Sequence, residues 1–158
     1  MAQSDTVDRI LDAAEELFAE RGFAETSLRM ITSKAGVNLA AVNYHFGSKN
    51  SLIQSVFARF LTPFSATLEA EVDELEARPG DRSPSVEEIL GALTGSAVRM
   101  PQRNDRGISI FMRLLGLAYT QSQGHLRAFL EDEYRGVFTR FMGLLKQATP
   151  ELSSVDRY

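Results

Sequence analysis

The side chains best suited to reading a nucleic acid lie between Thr26 and Lys49, in the stretch TSLRMITSKAGVNLAAVNYHFGSK. Asn43 can donate and accept at one base edge, and the small Ala40 and Ala41 allow the backbone to come close to such an edge. Arg29, Lys34 and Lys49 supply positive charge, and the same window holds no acidic residue although the whole chain has a formal charge of -4. Phosphate contact favours this distribution, because a carboxylate beside the nucleic-acid backbone would repel it. Thr26 and Ser27 stand just before an apolar helical pattern, and hydroxyls with free N–H groups at a helix start make a seat for phosphate.

Two short helices joined by a turn would position these groups. Leu28, Ile31 and Ala35 recur at helical spacing, Gly36 breaks the pattern, and Val37, Val42 and Phe46 restart an apolar face. Such a pair with a glycine turn is the helix-turn-helix pattern, whose second helix enters a major groove. Gly36 suits the turn because it takes positive φ without a Cβ clash. The second helix is expected to start at the N-cap Asn38 and run to about Tyr44. It would expose Leu39, Ala40, Asn43 and Tyr44 while Val42 faces inward. A first helix over Asp5–Arg21, capped by Ser4 or Asp5 and closed by Gly22, carries Val7, Ile10, Leu11, Ala14, Leu17 and Phe18 on one stripe. It reads as a support, with Phe23 plugging the same small core and only a stray Arg9 within reach of phosphate. The spacing alone leaves a second reading open, in which the two short helices are an ordinary hairpin in a core.

The remaining chain is helical throughout, so the fold class is all-α. Ser48 caps a helix with Leu52, Ile53, Val56, Phe57, Phe60 and Leu61 inward. At Pro63 this helix either kinks or gives way to a second one continuing to Arg78. ARPGDRSP (77–84) is the clearest linker, and Ser85 with Glu88 forms a capping box for the next helix. MPQRNDRG (100–107), with Arg103 and Arg106, is a second loop. The helix over 108–123 is apolar around most of its circumference and is expected to be buried. Gly124 ends it, and a long helix from His125 to Ala148 follows before Pro150.

Several function classes find no support. The 158 residues include no cysteine, so no disulfide or thiolate chemistry is available. There is no GxSxG elbow, glycine-rich phosphate loop or HExxH pattern, so no enzyme activity is expected. The acids Glu87–Glu88 and Glu131–Asp132–Glu133 read as solvated helix surface. His45 and His125 are the two histidines and lie far apart in sequence, which argues against a metal site; no metal and no cofactor are expected. The N-terminus lacks a basic region followed by an apolar run, and no apolar run reaches membrane-spanning length. The expected location is the cytoplasm, with no membrane partner. A helical protein–protein adaptor remains as a competitor from another class.

The order of an amphipathic helix ending in ERGF, then TS, a short apolar helix, AGV and finally VNYHFGSK resembles the DNA-binding domain of the TetR family of bacterial repressors, over residues 7 to 57. SIFMRLLGLAYTQSQGHLR resembles the fatty-acid-responsive members of that family from pseudomonads. The resemblance implies a helix-turn-helix DNA-binding domain at 1–47 and a helical effector-binding and dimerisation domain at 48–158. Ser27 and Arg29 would touch backbone or groove edge, Tyr44, His45 and Lys49 would hold flanking phosphates, and Asn38, Leu39, Ala40 and Asn43 would complete the double-stranded operator contact. Composition cannot separate a filled core from a cavity in the second half. The resemblance implies a cavity for a fatty acid or acyl-CoA, lined by Phe60, Phe64, Phe111, Met112, Leu115, Phe129 and Phe138. Arg113, Gln121 and His125 are candidates for its polar head, unless Arg113 pairs instead with Glu131 or Glu133. A regulator answering to a different apolar ligand is the alternative. Family members usually continue with two more helices that pair with a second subunit, so the expectation is a homodimer in the full-length form and a chain lacking those last dimerisation helices.

Overall fold

The computed structural model describes residues 2–78, 83–100, 107–121 and 124–151, with side chains from Asp5 onward. Among them are seven helices and no strand: α1 (Ala2–Glu25), α2 (Leu28–Ala35), α3 (Leu39–Phe46), α4 (Lys49–Glu76), α5 (Val86–Val98), α6 (Gly107–Thr120) and α7 (Gly124–Ala148). The loop arginines Arg103 and Arg106, residues 79–82 of the linker expected at 77–84, and the chain after Glu151 lie outside the described residues. α1 begins at Ala2, so Ser4 and Asp5 fall within the helix instead of capping it, and Asp5 pairs with Arg9 one turn on at 3.6 Å. α4 runs unbroken through Pro63, resolving the choice between one helix and two. The capping box forms as expected: Ser85 Oγ accepts from the Glu88 N–H at 3.3 Å, and Glu88 Oε2 accepts from the Ser85 N–H at 2.8 Å. Hydrogen bonds from the Glu87 backbone and Ser85 hold the Glu87 carboxyl below its ordinary value.

The chain forms two compact units. The first comprises residues 1–60 and 102–129, that is α1–α3, the start of α4, α6 and the start of α7. Its core is aromatic: Phe23 lies 5.4 Å from Phe18 and 6.2 Å from Phe57 between ring centroids, and Phe111 of α6 lies 6.3 Å from Phe57. Ile10, Ala14, Ile31, Val42, Leu52 and Leu114 are fully buried around them. On its flank the Arg59 side chain, 8% exposed, meets Glu15 and Asp12 at 2.7 Å and Asp8 at 3.2 Å. Burial lowers the proton affinity of the Arg59 guanidinium, but Glu15 and Asp12 together hold it above the ordinary arginine value.

The second unit comprises residues 61–101 and 130–158. Leu68, Val72 and Leu75 of α4, Ile89 and Ala92 of α5, and Val137, Phe141 and Leu144 of α7 form its interior. Thr62 and Tyr134 share a hydroxyl hydrogen bond at 2.9 Å, and Arg140 bridges Asp73 and Glu76. Compactness thus groups α6 with the three N-terminal helices, across the functional division drawn at residue 47, because α6 packs directly against α1.

The expectation that α6, apolar around most of its circumference, is buried is corrected. Phe111 and Leu114 are buried, but Ile108 is exposed, Met112 is 61% exposed and Tyr119 90%. Neighbours on one side of a helix bury only the residues turned toward them; Met112, one position on from Phe111, is rotated from it by about 100°.

Candidate nucleic-acid interface

α2 and α3 owe their limits to local chemistry. Ser27 takes an extended backbone and its Oγ accepts from the Met30 N–H at 3.2 Å, an N-cap for α2. Gly36 closes the helix in the left-handed region (φ 64°, ψ 38°), as its place in the sequence predicts. Asn38 caps α3, its Oδ1 accepting from the Ala41 N–H at 2.8 Å. The helix then runs two residues further than expected, to Phe46, where Gly47 donates back to the Asn43 carbonyl at 3.0 Å.

The α3 faces separate cleanly. Val42 is fully buried, whereas Leu39, Ala40, Asn43 and Tyr44 are exposed, Tyr44 at 77%. Residues four apart differ by only about 40° around a helix, so 39 with 43 and 40 with 44 make one continuous strip. Ser27, Arg29 and Asn38 are exposed, while His45 and Lys49 are half-buried. The His45 ring sits edge-on to Tyr44 at 5.0 Å, and Lys49 Nζ lies 3.5 Å from the Ala24 carbonyl oxygen. None of the nine candidate DNA-contacting residues is buried.

Three details depart from the sequence reading. Thr26 is fully buried and its hydroxyl reaches the Gly22 carbonyl at 2.8 Å and the Leu17 carbonyl at 3.1 Å, so it is no phosphate seat; its neighbour Ser27 alone stays outside. Arg9 donates to the carbonyl oxygens of Ala35, through Nε at 3.0 Å and Nη2 at 2.7 Å, and of Gly36 at 2.7 Å. Its charge therefore serves the negative end of α2. The window free of acids in sequence is not free of them in space: Glu16 of α1 lies 2.8 Å from Lys34 Nζ. The hydrogen bond and charge of Glu16 hold the Lys34 ammonium above its ordinary value. No periodicity reports such partners, since they belong to different helices.

The effector candidates fall into two groups. In the first unit Phe60 stacks on Phe111 at 5.0 Å; Leu115, one turn on from Phe111, and Phe129 of α7 are half-buried, while Met112 and Arg113 are exposed on other sides of α6. In the second unit Phe64 and Phe138 stack at 6.4 Å. Of the polar-head candidates, Gln121 is engaged by the Phe23 N–H at 3.2 Å, and the His125 carbonyl accepts from Gln54 at 3.2 Å. The His125 Nε2 is buried and has no partner among the described residues. Glu131, one of the two acids considered for Arg113, pairs with Arg135 at 3.6 Å.

Comparison with known proteins supplies the lineage. Residues 10–56 match the family model described as bacterial regulatory proteins, tetR family, and residues 91–158 match the tetracyclin repressor-like C-terminal domain. The HTH-type transcriptional regulator SrpR of Pseudomonas putida is 33% identical over 150 residues, covering 85% of this chain and 70% of that protein. The probable HTH-type transcriptional regulator YttP of Bacillus subtilis (strain 168) is 34% identical over 73 residues, 46% of this chain and 35% of YttP. The solved structure of SmeT, described as the repressor of the Stenotrophomonas maltophilia multidrug efflux pump SmeDEF, has a TM-score of 0.61 at 25% identity and covers 91% of this chain and 66% of SmeT. The chain therefore spans only part of each relative, about a third of YttP and about two thirds of the other two. Matched at both ends by the family's models, and along most of SrpR, the chain belongs to the TetR family of bacterial regulatory proteins.

Proposed function

We propose that this protein is a DNA-binding transcriptional repressor released from its operator by an apolar effector. The observation that carries the reading is the strip Leu39, Ala40, Asn43 and Tyr44, exposed on a capped helix whose other side is anchored by Val42. An eight-residue helix presented this way offers Asn43 to a base edge and Tyr44, His45 and Lys49 to flanking phosphates, with Ser27 and Arg29 at the adjoining helix start. Two operator half-sites require two such helices at a fixed spacing, so the acting form is a homodimer of the full-length protein. Titrating a labelled duplex at several salt concentrations tests the reading. Affinity should fall with salt at a slope of about -0.9 per phosphate neutralised. An adaptor would bind no duplex at any salt.

The effector is a long-chain fatty acid or acyl-CoA, in line with the likeness of the α6 region to the pseudomonad regulator PsrA. The Phe60–Phe111 stack, Leu115 and Phe129 offer the acyl chain an apolar lining. His125, whose buried Nε2 has no partner among the described residues, is the strongest of the three candidates to meet a polar head. A second reading, a different apolar ligand, draws on the likeness to SmeT, the repressor of a multidrug efflux pump. α4, whose residues belong to both compact units, is the element through which filling one part could alter the presentation of α3. Release requires that the effector bind the state unfit for DNA more tightly; equal affinity for both would shift nothing. Mass spectrometry of co-purifying lipids identifies the ligand class, and Leu115→Trp should blunt the response to palmitate or palmitoyl-CoA while sparing operator binding. An unaltered dose response would remove Leu115 from the site.

A further inference from the structure

α1 is interrupted at Gly22, where φ is 84° and ψ is 169°. A break of this kind turns backbone polar groups away from their helical partners, and each needs another. The Gly22 carbonyl accepts from the buried Thr26 hydroxyl at 2.8 Å. The Phe23 N–H donates to Oε1 of Gln121, 98 positions further along the chain, at 3.2 Å. The Nε2 of the same amide stands 2.7 Å from where a Cβ on Gly22 would be. Glycine at this position therefore does two things: it permits the backbone angle and leaves the slot that the glutamine amide fills. Beyond residues 122–123, Gln54 of α4 donates to the His125 carbonyl at 3.2 Å. Glutamine amides thus tie the chain to α1 on one side of this segment and to α4 on the other.

We propose that Gln121 is a positioning residue, clasping the end of α6 to the break in α1 and thereby holding the short stretch Phe23–Ser27 from which α2 starts. The Phe23 ring is wedged between Phe18 and Phe57, and Ser27, only four positions on, caps α2. Losing the clasp leaves a part-buried N–H unpaired and lets this stretch open locally, loosening the support of the α2–α3 surface. The positioning role rests on the reading of that surface as duplex-binding; the clasp itself does not.

Hydrogen exchange followed by NMR on the 158-residue chain, with duplex titration at low salt, tests both parts. Gln121→Met keeps length and bulk but removes the acceptor, and Gln121→Glu keeps the acceptor. In Gln121→Met the Phe23 amide should exchange about tenfold faster while the amides of Ile10 and Phe18 keep their rates. Affinity for a mixed-sequence duplex should fall about threefold or more, the scale of a partial population shift, with both effects reversed in Gln121→Glu. Unchanged exchange at Phe23 would overturn the clasp. Faster exchange with unchanged duplex affinity would overturn the positioning role and leave a purely structural bond. Should the unsubstituted protein bind no duplex, the DNA reading and the positioning role fall together, while the exchange rates still decide the clasp.

Discussion

Replacing Gly22 by alanine concentrates two costs at one atom. The backbone there lies at φ 84° and ψ 169°, a region essentially confined to glycine, and forcing an L-residue into it costs about 1–3 kcal/mol. The new Cβ would also stand 2.7 Å from Gln121 Nε2, too close to persist. The glutamine is flexible and can withdraw, but withdrawal surrenders the 3.2 Å bond from the Phe23 N–H, a loss of about 1 kcal/mol. The sum is about 2–4 kcal/mol, which for a chain of this size lowers the melting temperature by roughly 4–16 °C. Calorimetric melting of four proteins (unsubstituted, Gly22→Ala, Gln121→Ala and the double variant) measures it. Because the clash and the lost bond are one event, the double variant should be less destabilised than the two single losses added, by about 1 kcal/mol. A melting point within 2 °C of the parent would refute the strain argument. Strict additivity would show that Gln121 and Gly22 do not meet in solution.

Arg59→Met should destabilise the first unit by about 3–5 kcal/mol in a denaturant titration at neutral pH, since it removes the largely buried cation that Asp8, Asp12 and Glu15 share. The deficit should shrink toward about pH 4, where carboxylates facing residue 59 take up protons and no longer need the cation; a pH-independent loss would mean that packing, not charge, is at stake. Asn38→Ala removes the α3 cap and should cost about 1 kcal/mol, with faster exchange of the Ala41 amide and restoration by Asn38→Asp. An unchanged Ala41 rate would show the cap to be idle. Tyr44→Ala should leave stability within about 0.5 kcal/mol, given its exposure, yet weaken binding to every duplex. Asn43→Ala should instead change which duplex is preferred. Undiminished operator affinity in Tyr44→Ala would show that the docking surface lies elsewhere.

Features that depend on neighbours within about one helical turn are legible in the order of residues alone. Asn38 as a cap, Gly36 as a left-handed stop, the Ser85–Glu88 box and the inward Val42 opposite the outward Asn43 and Tyr44 are all contacts or angles of that range, so residue type and spacing specify them. Pro63 was ambiguous for the same reason, because whether a helix survives a proline is decided by what surrounds it.

Packing between helices settles which of the adjacent hydroxyls at Thr26 and Ser27 turns inward, that Arg9 caps α2 from 26 positions away, and that Glu16 answers Lys34. It also settles that α6, apolar by composition, keeps Met112 and Tyr119 in solvent, and that Gln121 fills the slot at Gly22. Each of these turns on the angle and height at which one helix lies against another. That geometry comes from the summed packing of many side chains and leaves no periodic trace in the sequence of either helix.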